Sequence, residues 1–179
     1  TKAGVDEVGR WVAAAFRDLG GDVQVLPNEA HGDTVVGTFG GPGMAGPALL
    51  MVGHMDTVFD PGTVAERPFA IRDGNAMGPG VSDMKGGLLA GLYALRILRS
   101  FGGPGDGPGP LPFGRIVFVA NPDEEIGSPV STPVISARAV TVDAALVMEG
   151  ARANGDIVSS RKGIADFELR ITGRAAHAG

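Results

Sequence analysis

Residues 48–58 read Ala48-Leu49-Leu50-Met51-Val52-Gly53-His54-Met55-Asp56-Thr57-Val58. The first five are all apolar, the pattern of a strand covered on both faces, and the run predicts a central strand, Ala48–His54. It closes on an imidazole and a carboxylate two residues apart, which in extended chain share one face roughly 6.7 Å apart. The crevice outside the carboxyl ends of strands is where open α/β sheets gather their ligands. His54 and Asp56 are therefore candidate site residues by position as well as by type.

The segments around this strand alternate between helix and strand periods. Val5, Val8, Val12, Ala15, Phe16 and Leu19 recur at three and four residues and predict a helix ending at Gly20–Gly21. Short β-type runs follow at Asp22–Leu26 and Thr34–Phe39. Ser82 and Asp83 stand where they could N-cap a helix through Leu88, Leu92, Leu95 and Leu98 to about Ser100. Residues 102–114, GGPGDGPGPLPFG, hold too much glycine and proline for helix or strand and read as a mobile surface loop. Arg115–Ala120 and Asp143–Met148 read as further strands, with a short helix at Val130–Ala139. The alternation predicts an α/β fold. Residues 164–171 change character: Ala165, Phe167, Leu169 and Ile171 alternate with Asp166, Glu168 and Arg170, the pattern of a strand with one wet face, opening a different sheet.

Composition removes several classes of function. The 179 residues carry Lys+Arg 15 against Asp+Glu 20, a net charge of −5, with no basic stretch longer than Arg161–Lys162. A nucleic-acid partner is not expected without a basic footprint. No apolar run reaches the ~20 residues that cross a bilayer, so no membrane partner is expected. With Cys 0 there is neither disulfide framework nor thiolate site, and any metal must be held by His, Asp and Glu. Glycine is the outlier, 30 residues of 179, and signals many turns and close backbone approaches.

Two more predicted strands end in acids. Val119 is followed by Asn121-Pro122-Asp123-Glu124-Glu125, and Val147 by Met148-Glu149. Each acid also has an ordinary reading: Asp123–Glu125 as the acidic first turn of a helix, Asp83 as a helix cap, Glu149 as a solvated loop residue. Those readings do not account for all of them reaching one edge of one sheet. Adjacent glutamates leaving a strand can point in different directions, so one of Glu124 and Glu125 can ligate a metal while its neighbour stays free as a base.

At this point the sequence resembles a known family. Gly53–Val58, Gly80-Val81-Ser82-Asp83-Met84-Lys85-Gly86-Gly87, Asn121–Ser128, Met148-Glu149-Gly150 and Gly173–Gly179 follow in order the motifs of the M20 metallopeptidases, nearest the glutamate carboxypeptidase branch. The resemblance implies a three-layer, zinc-exopeptidase-like mixed sheet flanked by helices, followed by the first strand of a small α+β lid or dimerisation domain. It implies a di-metal catalytic domain over 1–162 and the start of the lid over 163–179. His54, Asp83 and Glu149 would hold one Zn2+, and Asp83 and Glu125 a second, with Mn2+ or Co2+ as alternatives. Asp56 would orient His54, Glu124 would serve as general base to a metal-activated water, and the Asp83–Met84 peptide would be cis. His177 resembles a lid histidine that reaches the partner subunit's active site to bind substrate.

The implied reaction is hydrolysis of an amide bond in a small peptide or N-acyl amino acid, releasing a C-terminal residue such as glutamate. Two alternatives stand beside it: a deacylase of the acetylornithine or succinyl-diaminopimelate type, and a non-catalytic metal-binding or dimerisation module. A homodimer through the lid and a cytoplasmic location are expected. The family's second metal also takes a histidine from later in its chain. Besides His54 this sequence has only His31, read as a surface residue, and His177. The expectation is therefore a segment of a longer enzyme, with little or no activity by itself.

Overall fold

The structure, a computed structural model, describes residues 1–41, 44–100, 113–163, 165, 167–174 and 176–177. Helix α1 (Lys2–Asp18) is followed by β1 (Asp22–Leu26), β2 (Thr34–Gly40) and β3 (Ala48–His54). A one-turn helix α2 (Thr63–Glu66) and a hairpin, β4 (Ala70–Arg72) and β5 (Asn75–Met77), precede α3 (Gly86–Ser100). The chain then runs through β6 (Arg115–Asn121), α4 (Ser131–Ala139) and β7 (Ala144–Val147).

The five-stranded sheet has the order β1-β2-β6-β3-β7. β3 is parallel to both of its neighbours, pairing His54 with Asn121 on one side and Val52 with Val147 on the other, whereas β1 and β2 run antiparallel. β3 is thus an interior strand, as the sequence pattern predicts, and β6 is the middle one of the five. Both are apolar runs flanked by partners, and periodicity alone does not rank two interior strands.

The two faces of the sheet are covered differently. Val5, Val12 and Phe16 of α1 pack with Leu88, Leu92 and Leu95 of α3 against Val35, Met51 and Phe118. Across the sheet, Val36, Leu50, Val117 and Val119 meet Val134 and Ile135 of α4. Phe16 sits edge-on to Phe39 at 5.7 Å and tilted on Phe118 at 5.1 Å, within the range where ring pairs attract. The layers are helix, sheet, helix, as expected.

Parallel pairing is what builds the site. Because β6, β3 and β7 run the same way, their C-terminal ends open at one edge, and the register sets them side by side. Main-chain bonds fasten these exits: Met55 N–H donates to Asn121 C=O (2.8 Å) and Met148 N–H to Val52 C=O (2.8 Å). Helix α3 closes on the same edge at Gly87, where a Cβ would lie 1.8 Å from the Met148 carbonyl oxygen. Gly87→Ala must push α3 away from the exit of β7. We expect a loss of at least about 3 kcal/mol, the upper end of ordinary overpacking, because the obstacle is backbone; urea unfolding of both proteins measures it.

Two expectations are corrected. Ser82 and Asp83 do not cap α3, which begins at Gly86; within the turn Val81–Lys85, Asp83 and Met84 have non-helical backbone angles. The described residues of 164–171 form no strand and are exposed, since an alternating pattern becomes a strand only where another backbone pairs with it. His31 sits in the loop before β2 with intermediate exposure. The loop expected at 102–114 falls, up to residue 112, outside the described residues.

Candidate metal centre

His54 is the pivot of the sheet edge. It is only 1% exposed, and its backbone N–H donates to the Met84 sulfur at 3.0 Å. Its two ring nitrogens face different groups. Nδ1 lies 3.2 Å from Asp56 Oδ1 and 3.1 Å from the Asp56 carbonyl oxygen. Nε2 lies 2.9 Å from Asp83 Oδ1, 3.2 Å from Glu149 Oε1 and 3.8 Å from Glu124 Oε2. A ring donating from Nδ1 to Asp56 has its Nε2 lone pair directed at the other carboxylates, the tautomer a metal requires.

Each acid arrives from a different element. Asp56 leaves β3 just past His54 and accepts from the backbone N–H groups of Glu124 (3.2 Å) and Glu125 (3.0 Å). It thus ties the exits of β3 and β6 together as well as holding the imidazole. Asp83 comes from the turn before α3, where its peptide to Met84 is cis. Glu149 follows β7. His54, Asp83 and Glu149 each offer a donor atom, and the three atoms lie within 4.8 Å of one another.

The neighbouring acids divide their labour. Asp123 is fully buried, and its Oδ2 accepts from the N–H groups of Val130 (2.6 Å) and Ser131 (3.1 Å), so it anchors the start of α4. The helix-terminus reading is right for this residue. Glu124 and Glu125 stay at the site. His177 lies beyond the last strand, exposed, in a segment without helix or strand among the described residues.

Charge crowding shows in the ionisation of the cluster. Burial pulls the His54 pKa down, but Asp56, Asp83 and Glu149 outweigh it and raise it from 6.5 to about 9. Burial pushes Asp56 up, yet its bonds to His54 and to the Glu125 N–H hold it below the ordinary carboxylate value. Burial, joined by neighbouring acids, raises Glu124 and Glu125. Lys85 was not anticipated from the sequence: burial lowers its pKa against the opposing pull of Asp56, Glu125 and Asp83. Its signal in the sequence is only its place two residues after Asp83. Many carboxylates around one imidazole repel one another until a cation joins them, and an N/O donor set of this kind suits zinc, manganese or cobalt.

Comparison with known proteins converges on one family. The model of "Peptidase family M20/M25/M40" matches residues 50–177. Carboxypeptidase G2 of Pseudomonas sp. (strain RS-16) is 35% identical over 98% of this chain, which spans 41% of that enzyme. N-acetyl-L-citrulline deacetylase of Xanthomonas campestris pv. campestris is 31% identical over 83% of this chain and 36% of its own length. Among solved structures, human carnosine dipeptidase 1 superposes with a TM-score of 0.66 at 20% identity, over 82% of this chain and 33% of the dipeptidase. At that identity the likeness concerns the fold. This chain therefore spans about two fifths of the curated relatives it matches.

Proposed function

Since this chain belongs to the peptidase family M20/M25/M40, we propose that its sheet edge is the metal centre of a hydrolase cleaving an amide bond in a small peptide or N-acyl amino acid. The observation that carries this reading is the buried His54, held at Nδ1 by Asp56 while Nε2 faces carboxylates from separate segments. In this reading His54, Asp83 and Glu149 hold one zinc ion, and Asp83 with Glu125 holds the second. A bound divalent ion supplies Lewis acidity, polarising the scissile carbonyl and making water acidic enough to be deprotonated near neutral pH.

The chain's own residues do the rest. Asp56 keeps the imidazole in one tautomer and draws the backbone of Glu124 and Glu125 toward the site. Glu124, with its raised pKa and its Oε2 3.8 Å from His54 Nε2, takes a proton from the attacking water and passes it to the leaving amine. His177, on a homodimer partner, binds the substrate. Similarity to both a carboxypeptidase and a deacetylase keeps the leaving group open: release of a C-terminal amino acid such as glutamate is the first reading, removal of an acyl group the second. Elemental analysis with hydrolysis rates on N-acyl glutamates, N-acyl ornithines and dipeptides tests it. Absence of both bound metal and turnover contradicts it.

The ionisation of His54 provides a separate check. In the metal-free protein its folded pKa, about 9, exceeds the ordinary 6.5, so protonated His54 stabilises the fold fully below pH 6.5 and that contribution fades as pH rises through 9. A metal needs the unprotonated Nε2. We therefore expect zinc binding at pH 7 to release protons, and zinc affinity to rise between pH 6.5 and 9 while the metal-free melting temperature falls. Calorimetry in buffers of different ionisation enthalpy reads the protons directly.

A further inference from the structure

Besides His54, the buried polar side chains among the described residues are Thr34, Asn121, Asp123 and Ser131, each at most 2% exposed. All four leave a polar atom without a hydrogen-bond partner: the Thr34 and Ser131 hydroxyls, Asn121 Oδ1 and Asp123 Oδ1. Such atoms are rare in folded proteins, because each forfeits its hydration with nothing in return. Four together call for a common cause.

The fold brings them to one corner. Val36 pairs with Val119, and both face α4. Side chains alternate along a strand, so Thr34 and Asn121, two residues away in their strands, return to that face. The register sets them opposite each other, one step past the Val35–Ala120 pair. Ser131 opens α4 over the same face. Asp123 Oδ2 already accepts from the Val130 and Ser131 N–H groups, which leaves Oδ1 as the bare oxygen.

The chemistry of the corner selects its ligand. It offers two donors, the hydroxyls, and two acceptors, the amide and carboxylate oxygens, and none of these atoms bonds another. Water matches that inventory, since it both donates and accepts, and a buried water makes about three hydrogen bonds to such groups. A metal cation does not match it: it would take oxygen lone pairs and leave both hydroxyl protons buried without an acceptor.

We propose that an ordered internal water is bound between the start of β2, the end of β6 and the start of α4, and that it braces the chain from Asn121 to Glu125 beneath the candidate metal centre. Asp56 holds this stretch at the Glu124 and Glu125 N–H groups, and the water holds it at Asn121 and Asp123. The inference is independent of the substrate and of the reaction.

Two measurements on the full-length protein test it. A high-resolution crystal structure should show a water about 2.7–3.2 Å from Asp123 Oδ1 and from at least one of the other three oxygens. In urea unfolding, Thr34→Val and Ser131→Ala should each lower the folding equilibrium constant about fivefold, because each removes a bond to the water. A dry corner gives the opposite sign: deleting a hydroxyl that has no partner leaves the constant unchanged or raises it. Either that result or a corner without solvent density overturns the proposal. So does a density peak bonded at about 2.3–2.6 Å, the spacing of a calcium ion. Should either variant fail to fold, the density in the unsubstituted protein decides.

Discussion

In the full-length protein, Glu124→Gln should leave zinc content unchanged and lower kcat by about 10²–10⁴-fold, the span that a positioned general base contributes. Glu124 lies farther from His54 Nε2 than either proposed partner of that nitrogen in the first ion's ligand set, 3.8 Å against 2.9 Å for Asp83 and 3.2 Å for Glu149. It is about half exposed, with burial and the neighbouring acids both raising its pKa. A group so placed can exchange protons without giving up a ligand. The amide variant keeps size and shape but cannot take a proton. Zinc content and steady-state kinetics on the same preparation decide it: loss of zinc would make Glu124 a ligand, and unchanged kcat would remove it from the role of general base.

Asp83→Ala should have the opposite signature, loss of metal first and of turnover in consequence. Asp83 Oδ1 is the nearest carboxylate oxygen to His54 Nε2 at 2.9 Å, and in the proposed arrangement it serves both ions, so its removal weakens both sites. Asp56→Asn is the comparator. Asp56 contacts the far side of the imidazole and two backbone N–H groups, and losing such an outer partner usually costs about 10–100-fold in metal affinity. Asp83→Ala should exceed that. Chelator competition on the three proteins ranks them, and an Asp83 variant that binds zinc as well as the Asp56 variant would contradict the bridging role.

Much of this site is legible in the sequence because it lies where strands end. The apolar runs of β3 and β6 and the acids that follow them are local signals, and parallel pairing converts that linear pattern into a common edge. Asp123 shows the limit. In the sequence it is one of three consecutive acids, and only the fold turns its carboxylate inward to the start of α4 while Glu124 reaches to 3.8 Å from His54. Asp83 shows a second limit: a residue just before a helix reads as a cap, and whether its carboxylate turns to the helix or to a distant imidazole depends on where α3 docks. The alternation at 164–171 is real as a pattern, but a strand needs a neighbour, and periodicity carries no information about one. The partial burial of Lys85 arises from how the chain closes on itself between Asp56 and Asp83, which no short window of residues contains.

Anomalous diffraction at the zinc edge, on crystals of the zinc-loaded protein, addresses the central claim with least inference. The account predicts a peak about 2.0–2.1 Å from His54 Nε2, bonded also to Asp83 and Glu149, with Glu124 outside bonding distance. A zinc ion bound elsewhere, with His54 still paired only to protein carboxylates, would contradict it.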